Sequence, residues 1–473
     1  MKAKQVLFFL LGVFAMLGLL WLVTPAEGVP LGPLNLRFAS FERMAQEAGE
    51  KKVDVDSVLN AVEGRFRMEE DTLSYYRKFF YENPDRIFLP EDDYHFFDTL
   101  FLRMENAGDR SVRIVHYGDS QIEMDRISQD LRQALQERFG GGGTGLFPAV
   151  SNVPSASIYK SASGGFAQYT MYGDSTTQRA GHNRYGMLAQ VVKLSGGGTI
   201  SLRGTKNKLA REGVKTFESV SVLYGRGESL EVKVVSDTLK PVPVVENGEN
   251  GTLVTWNFGR PVRKATLSFR GSAEIYAVGA DGAGGVAVDN IPLRGSSGTI
   301  FSRISKPLME DCFALTDTRL IILQFGGNMM PMVRSTKTIE QYQEQIQKQL
   351  AYFHEVAPQA KILFIGPSDM GKSVNGRIVT WPHLPEMVDS LKATVLRNDA
   401  AYWDLYRMMG GENSMVQWVK HRPAYAGPDY IHFTPAGARR VGEALSRSFL
   451  TYYDFYRLRK TLPEDRVKKA MQP

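Results

Sequence analysis

The sequence predicts an α/β protein: a doubly wound parallel sheet, interrupted after its first strand–helix unit by a β-sandwich or jelly-roll insert. Short apolar runs at Arg113–Tyr117, Val286–Val288, Leu320–Gln324, Lys361–Ile365 and Ala401–Leu405 read as buried strands. Helical spacing lies between or after them at Ile127–Phe139, Ile339–Val356, Leu384–Arg397 and Pro435–Tyr453, and strand–helix repetition of this kind builds parallel sheets. From about 150 to 285 the chain changes character. It becomes rich in Gly, Ser, Thr and Val, with alternating segments such as Ser219–Leu223, Leu230–Val235, Thr252–Trp256 and Ala265–Phe269. Turn signals such as Glu246-Asn247-Gly248 and Asn250-Gly251 separate them, the signature of antiparallel β structure.

In chain order, residues 1–30 read as a signal peptide or membrane anchor. Lys2 and Lys4 precede an uncharged apolar run from Val6 to Val23, long for a signal-peptide core and just long enough to span a bilayer. Thr24-Pro25-Ala26 offers a cleavage site, whereas an uncleaved anchor fits the length of the run. Both readings export the rest of the chain, because the positive flank stays inside. Residues 31–110 form a helical lead-in, with helical spacing at Val55–Arg67 and Asp71–Tyr81. Residues 111–150 are the first part of the α/β domain, 151–285 the β insert and 286–455 the second part. In that second part Thr434 is the expected N-cap of the last helix and Pro435 its first residue. Residues 456–473 form a basic tail.

Composition excludes several classes. With 43% hydrophobic and 23% charged residues the chain is not a disordered one. The net charge of +6 sits largely at the two ends, and no stripe of Lys and Arg interleaves with aromatics, so no nucleic-acid partner is expected. The single cysteine, Cys312, excludes an intramolecular disulfide and a cysteine metal site; it reads as a small buried apolar residue. No cofactor and no metal are implied.

The chemistry concentrates where strands end. Gly118-Asp119-Ser120 follows the first strand, the position at which doubly wound sheets place their sites. A serine there presents its hydroxyl at the mouth of the sheet, with its N–H close to the start of the following helix. A second copy, Gly173-Asp174-Ser175, has no helical pattern after it and reads as a loop of the insert. A serine hydroxyl needs a general base near neutral pH, and histidine oriented by a carboxylate supplies one. Asp429 and His432 are three residues apart in Gly427–Pro435, just before the last helix. Asn328, in Phe325-Gly326-Gly327-Asn328, follows the strand Leu320–Gln324 and can donate its amide to an oxyanion. The N–H of Gly298 is the expected second donor, with Gly295 as the alternative in the same loop, Asn290–Thr299.

These four blocks, in the chain order Gly118-Asp119-Ser120, Gly298, Gly326-Gly327-Asn328 and Asp429 through His432, each after a strand, resemble those of the SGNH/GDSL hydrolases. The resemblance covers roughly 113–150 and 286–450. It implies a flavodoxin-like sheet, Ser120 as nucleophile, His432 as base with Asp429 as its orienter, and an oxyanion hole from the N–H groups of Ser120 and Gly298 and the amide of Asn328. Two positions depart from the usual pattern: Gln121 stands where many members have Leu or His, and Met329 where many have Asp. The insert between the first two blocks is similar to the arrangement in bacterial peptidoglycan O-acetylesterases. That likeness implies an acetylated cell-envelope glycan as substrate, and a periplasmic or cell-envelope location. Tyr172, Tyr185 and Trp256 are candidate sugar-stacking residues on the insert, and the insert with the helix after Ser120 is expected to wall an open groove. An O-acetyltransferase uses the same triad, and a non-catalytic glycan-binding protein would use the same scaffold.

Overall fold

The computed structural model describes residues 9, 11–19, 29–32, 34–36, 71–108, 110–150, 153–174, 176–236 and 239–472. Two compact units are distinguished, Met1–Thr72 and Leu73–Pro473. In the first, residues 11–19 are helical and the rest of the apolar run from Val6 to Val23, apart from residue 9, lies outside the described residues. No helix among the described residues is long and apolar enough to cross a membrane. The expected helical lead-in opens instead on an antiparallel pair, Val29–Leu31 with Leu34–Leu36. The helix expected at Val55–Arg67 lies outside the described residues.

The second unit is built on a six-stranded sheet. Its strands are β1 (Ile87–Phe88), β2 (Val112–Gly118), β3 (Val286–Pro292), β4 (Thr318–Gln324), β5 (Lys361–Ile365) and β6 (Ala401–Trp403), in the order β3-β2-β4-β5-β6-β1. All neighbours are parallel except the edge pair of β6 with β1. The chain therefore goes from β2 to one side, into β3, and then back across to β4, so the topology switches beside β2.

Side chains alternate along β2. Val115 and Tyr117 enter one core with helices α3 (Lys306–Leu315), α4 (Thr336–Val356) and α5 (Leu384–Arg397). Val112 and Ile114 enter the other core with α1 (Asp98–Glu105), α2 (Ser128–Phe139) and α6 (Pro435–Arg459). Both faces of the sheet are covered, which is why its strands read as continuous apolar runs. Thr434 caps α6, its hydroxyl accepting from the Gly437 N–H at 3.2 Å. Cys312 is buried on α3.

The last part of the lead-in, from Leu73 on, and the tail prove to be parts of this unit. β1 extends the sheet, and α1 packs on α6. The tail forms a further helix, Glu464–Ala470, whose Val467 packs with Met471, Leu73 and Phe455. Basic composition hid these apolar anchors.

The insert forms an eight-stranded sheet centred on one long strand, Lys264–Asp281. The first part of that strand pairs with Gln190–Gly204 and Ser229–Val235, and the last part with Phe217–Gly225 and Gly143–Phe147. The two sets of strands, joined through that long strand, enclose one core containing Val220, Val222, Trp256, Ala265 and Leu267. Gly143–Phe147 belongs to this sheet rather than to the α/β part; its glycine content masked its strand character. Arg113 of β2 ties the two parts together, donating to Asp289 of β3 at 2.6 Å and to Asp281 of the insert at 2.8 Å. All three side chains are buried. Asp289 also accepts the N–H of Leu146 at 2.7 Å.

Candidate active site

β2 delivers Asp119 and Ser120 to the carboxyl edge of the sheet at the switch point. Ser120–Ile122 form a single 3-10 turn, and α2 begins only at Ser128. Ser120 thus stands on its own tight turn and not at the start of the helix, so the expected assistance from the α2 N-terminus falls away. The turn is held by the Asp119 carboxylate, which accepts the Gln121 N–H at 2.9 Å. No hydrogen bond pairs the Ser120 N–H with another described residue.

The loop before α6 brings in the other two groups. Gly427 N–H donates to the His432 carbonyl at 2.8 Å, and Tyr430 adopts φ 56°, which turns the chain sharply between Asp429 and His432. The Ser120 hydroxyl lies 2.9 Å from His432 Nε2, and His432 Nδ1 lies 2.7 Å from Asp429 Oδ2. The second carboxylate oxygen of Asp429 accepts the N–H groups of Ile431 and His432, each at 3.1 Å. Partial burial pushes the Asp429 pKa up, but the His432 ring and these two N–H donors outweigh it and hold the carboxyl below its ordinary range. Hydroxyl, imidazole and carboxylate therefore form an unbroken chain in which the imidazole can take the serine proton.

His116, four residues before Ser120, is the other histidine near the turn. It is buried between Gln324 and the Ser128 hydroxyl, and burial pushes its pKa down to about 4. It stays neutral and has no access to Ser120.

Asn328 follows β4 on the turn Gly327–Met332. Gly326 has φ 126°, and an added Cβ would crowd the Pro367 ring at 3.1 Å, so the close approach requires glycine. The Asn328 amide donates to Asp119 at 2.9 Å and to the Ser296 carbonyl at 3.2 Å. Asp119, not itself singled out by the sequence, is thus the hub joining the Ser120 turn to Asn328. Its signal was present in the motif itself: a carboxylate next to the serine, directly after a buried strand. Burial raises its pKa to about 6, against the pull of the Gln121 N–H, His432 and Asn328.

Gly298 lies where expected in the chain, but its N–H donates to the Ser296 hydroxyl at 3.1 Å. That N–H, like the two amide hydrogens of Asn328, is thus engaged within the protein, and either group must exchange a partner to serve an oxyanion. Its φ of 78°, with the Phe325 ring 2.6 Å from an added Cβ, accounts for the glycine through packing. Gly295 lines a groove on the insert side instead. Of the duplicate motif, Asp174 holds Thr176 in an exposed turn, and Ser175 lies outside the described residues.

A pocket of about 160 Å³ opens beside Ser120 and His432, walled by Phe325, Pro331, Met370, Trp381, Leu405 and Ile431. A separate open groove of about 1190 Å³ runs along the insert past Phe166, Gln168 and Tyr172 to Arg294 and Gly295. The loop after β3, with Arg294 and Gly295, lines it together with the insert, whereas α2, expected to share a wall with the insert, does not. Arg294 is exposed and pairs with buried Glu123, which follows the Ser120 turn. Of the three candidate stacking residues, Tyr185 and Trp256 are core, and only Tyr172 reaches the groove. No group of acidic, histidine or cysteine side chains suited to a metal ion occurs among the described residues.

No protein-family model and no curated protein matches the chain. Among solved structures it is similar to a peptidoglycan O-acetylesterase, at 21% identity and a TM-score of 0.60, over 76% of this chain and 96% of that one. A catalytic mutant of an acetylxylan esterase from Geobacillus stearothermophilus matches at 14% identity and a TM-score of 0.26, over 36% of this chain and 73% of that one. A family two carbohydrate esterase from Clostridium thermocellum matches at 11% identity and a TM-score of 0.25, over 61% and 100%. Only the first likeness bears weight, and at its identity it speaks for the fold. In this likeness the chain shares the fold of that peptidoglycan O-acetylesterase.

Proposed function

We propose that the chain is a serine esterase that removes O-acetyl groups from an extracytoplasmic glycan, with peptidoglycan as the first candidate. The observation that carries this is the unbroken Ser120–His432–Asp429 hydrogen-bond chain beside a small pocket. His432 Nε2 takes the Ser120 proton as the hydroxyl oxygen attacks the acetyl carbonyl. The tetrahedral intermediate collapses, the sugar oxygen leaves with the proton from His432, and water then releases acetate by the same route in reverse. Asp429 keeps the Nδ1–H tautomer and the ring orientation. The oxyanion is held by the Ser120 N–H and by Asn328, which exchanges its longer bond, that to the Ser296 carbonyl, for the developing charge. The likeness to a peptidoglycan O-acetylesterase supports the substrate class. The basic flank and apolar run at the N-terminus support export.

The apolar pocket suits a short acyl chain, while the groove along the insert suits a polymer whose remote contacts offset the small binding energy of an acetyl group. Acetate release from O-acetylated peptidoglycan, O-acetylated xylan and a chromogenic acetyl ester tests this. Peptidoglycan is expected to give the highest kcat/KM, the small ester a high KM, and an octanoyl ester little turnover. Preference for xylan would move the substrate, and preference for octanoyl would point to a lipase.

Asp119 adds a pH test. Below about pH 6 it takes up a proton and becomes a neutral acceptor for Asn328 and the Gln121 N–H. Asp119→Asn is neutral at every pH. It is expected to lower kcat about 10- to 100-fold at pH 8, as a charge-assisted bond is lost, and by clearly less at pH 5, where the native group is already protonated. An equal loss at both pH values would exclude a role for the charge.

A further inference from the structure

Gln121, directly after the nucleophile, departs from the residues usual at this place, and its surroundings give it a task. The side chain is buried. Its Nε2 donates to the Ile431 carbonyl at 2.7 Å, and its Oε1 accepts the Phe433 N–H at 3.3 Å. These two main-chain groups flank His432 on either side. Gln121's own N–H is fixed by Asp119 at 2.9 Å, and Asp119 also holds Asn328. His432 and Asp429 sit on a turn whose side chains are 42% and 47% exposed, so core packing alone does not hold them.

We propose that Gln121 is a positioning residue that clamps the main chain before and after His432 and thereby sets the distance of the base from Ser120. This rests on the reading of Ser120 and His432 as nucleophile and base. A carboxamide meets the requirement because one planar group offers a donor to Ile431 and an acceptor to Phe433. Leucine offers neither. Glutamate keeps the shape and the acceptor but sets a carboxylate oxygen against the Ile431 carbonyl.

The test compares Gln121→Leu and Gln121→Glu with the native protein. Three readouts are used: kinetics on a chromogenic acetyl ester, labelling of Ser120 by a fluorophosphonate, and hydrogen exchange at the Phe433 amide. For Gln121→Leu, exchange at Phe433 is expected to accelerate at least about tenfold, as its hydrogen-bond partner is lost. For both variants kcat and the labelling rate are expected to fall about 10- to 100-fold, with KM within about twofold, because the clamp acts on the base and not on substrate binding. Should Gln121→Leu not fold, Gln121→Glu carries the kinetic comparison alone. Unchanged kcat in either folded variant overturns the proposal, as does unchanged exchange at Phe433 in Gln121→Leu, or a loss shared equally between kcat and KM. If native Ser120 is not labelled, the esterase reading fails instead, while the exchange rate still reports whether the clamp exists.

Discussion

Ser120→Ala and His432→Ala are each expected to lower kcat on the acetyl ester by about 10⁴-fold or more, and the double variant to be little worse than either. The reason is the shared proton. Once the hydroxyl at 2.9 Å from Nε2 is gone, His432 has no nucleophile to activate; without His432, the hydroxyl keeps its proton. On the proposed mechanism, what remains is expected to come from the Ser120 N–H and Asn328, which persist in either variant. Asp429→Asn is expected to cost less than either, because the ring keeps some basicity without its orienter. The checks are kcat and KM at fixed pH, together with fluorophosphonate labelling, which Ser120→Ala abolishes. A Ser120→Ala variant within tenfold of the native rate, or additive losses in the double variant, would show that the two groups do not act as one unit.

The second large effect concerns stability. Arg113→Met removes the cation shared by two buried carboxylates, Asp281 and Asp289. Leaving buried charges unpaired typically costs about 3–5 kcal/mol, so the urea midpoint should fall sharply while the m-value changes little. The pH dependence has a definite sign. Burial raises the Asp289 pKa to about 6 even with Arg113 opposing it. A carboxyl whose folded pKa is raised favours folding at low pH, and that contribution is lost as pH rises through the folded value. With Arg113 gone the carboxyl is raised further, so the deficit of Arg113→Met should be smaller at pH 5 than at pH 8. Equal deficits would mean that the triad is not electrostatic in character. Replacing all three groups by apolar side chains should recover much of the loss.

The regular elements that bury both faces were legible because their apolar runs have no competing reading: Lys361–Ile365 and Leu384–Arg397 lie where the sequence places them. Ser120, Asp429, His432 and Asn328 were legible because each is chemically distinctive and follows a readable strand or precedes a readable helix. β1, of two residues, is too short to show a period, and Gly143–Phe147 is masked by its glycines. Gln121 was visible only as an anomaly. Its partners Ile431 and Phe433 are more than 300 residues away, and main-chain groups leave no mark in a sequence. The engagement of the Gly298 N–H by the Ser296 hydroxyl was hidden for the same reason: it depends on a loop conformation, not on residue type.

The position of the insert also governs how the chain reaches its native state. β2 is an interior strand, yet both of its partners, β3 and β4, follow the whole insert. During synthesis β2 therefore emerges before either of its partners, with the whole insert between them. Closing so long a loop costs conformational entropy before any ladder bond is gained, which makes this pairing slow. The insert, once collapsed, brings Asp281 and Val286 close to Gly141 and Arg113 and so shortens the search. In that sense the fold of the insert closes the gap in sequence that separates β2 from both of its partners.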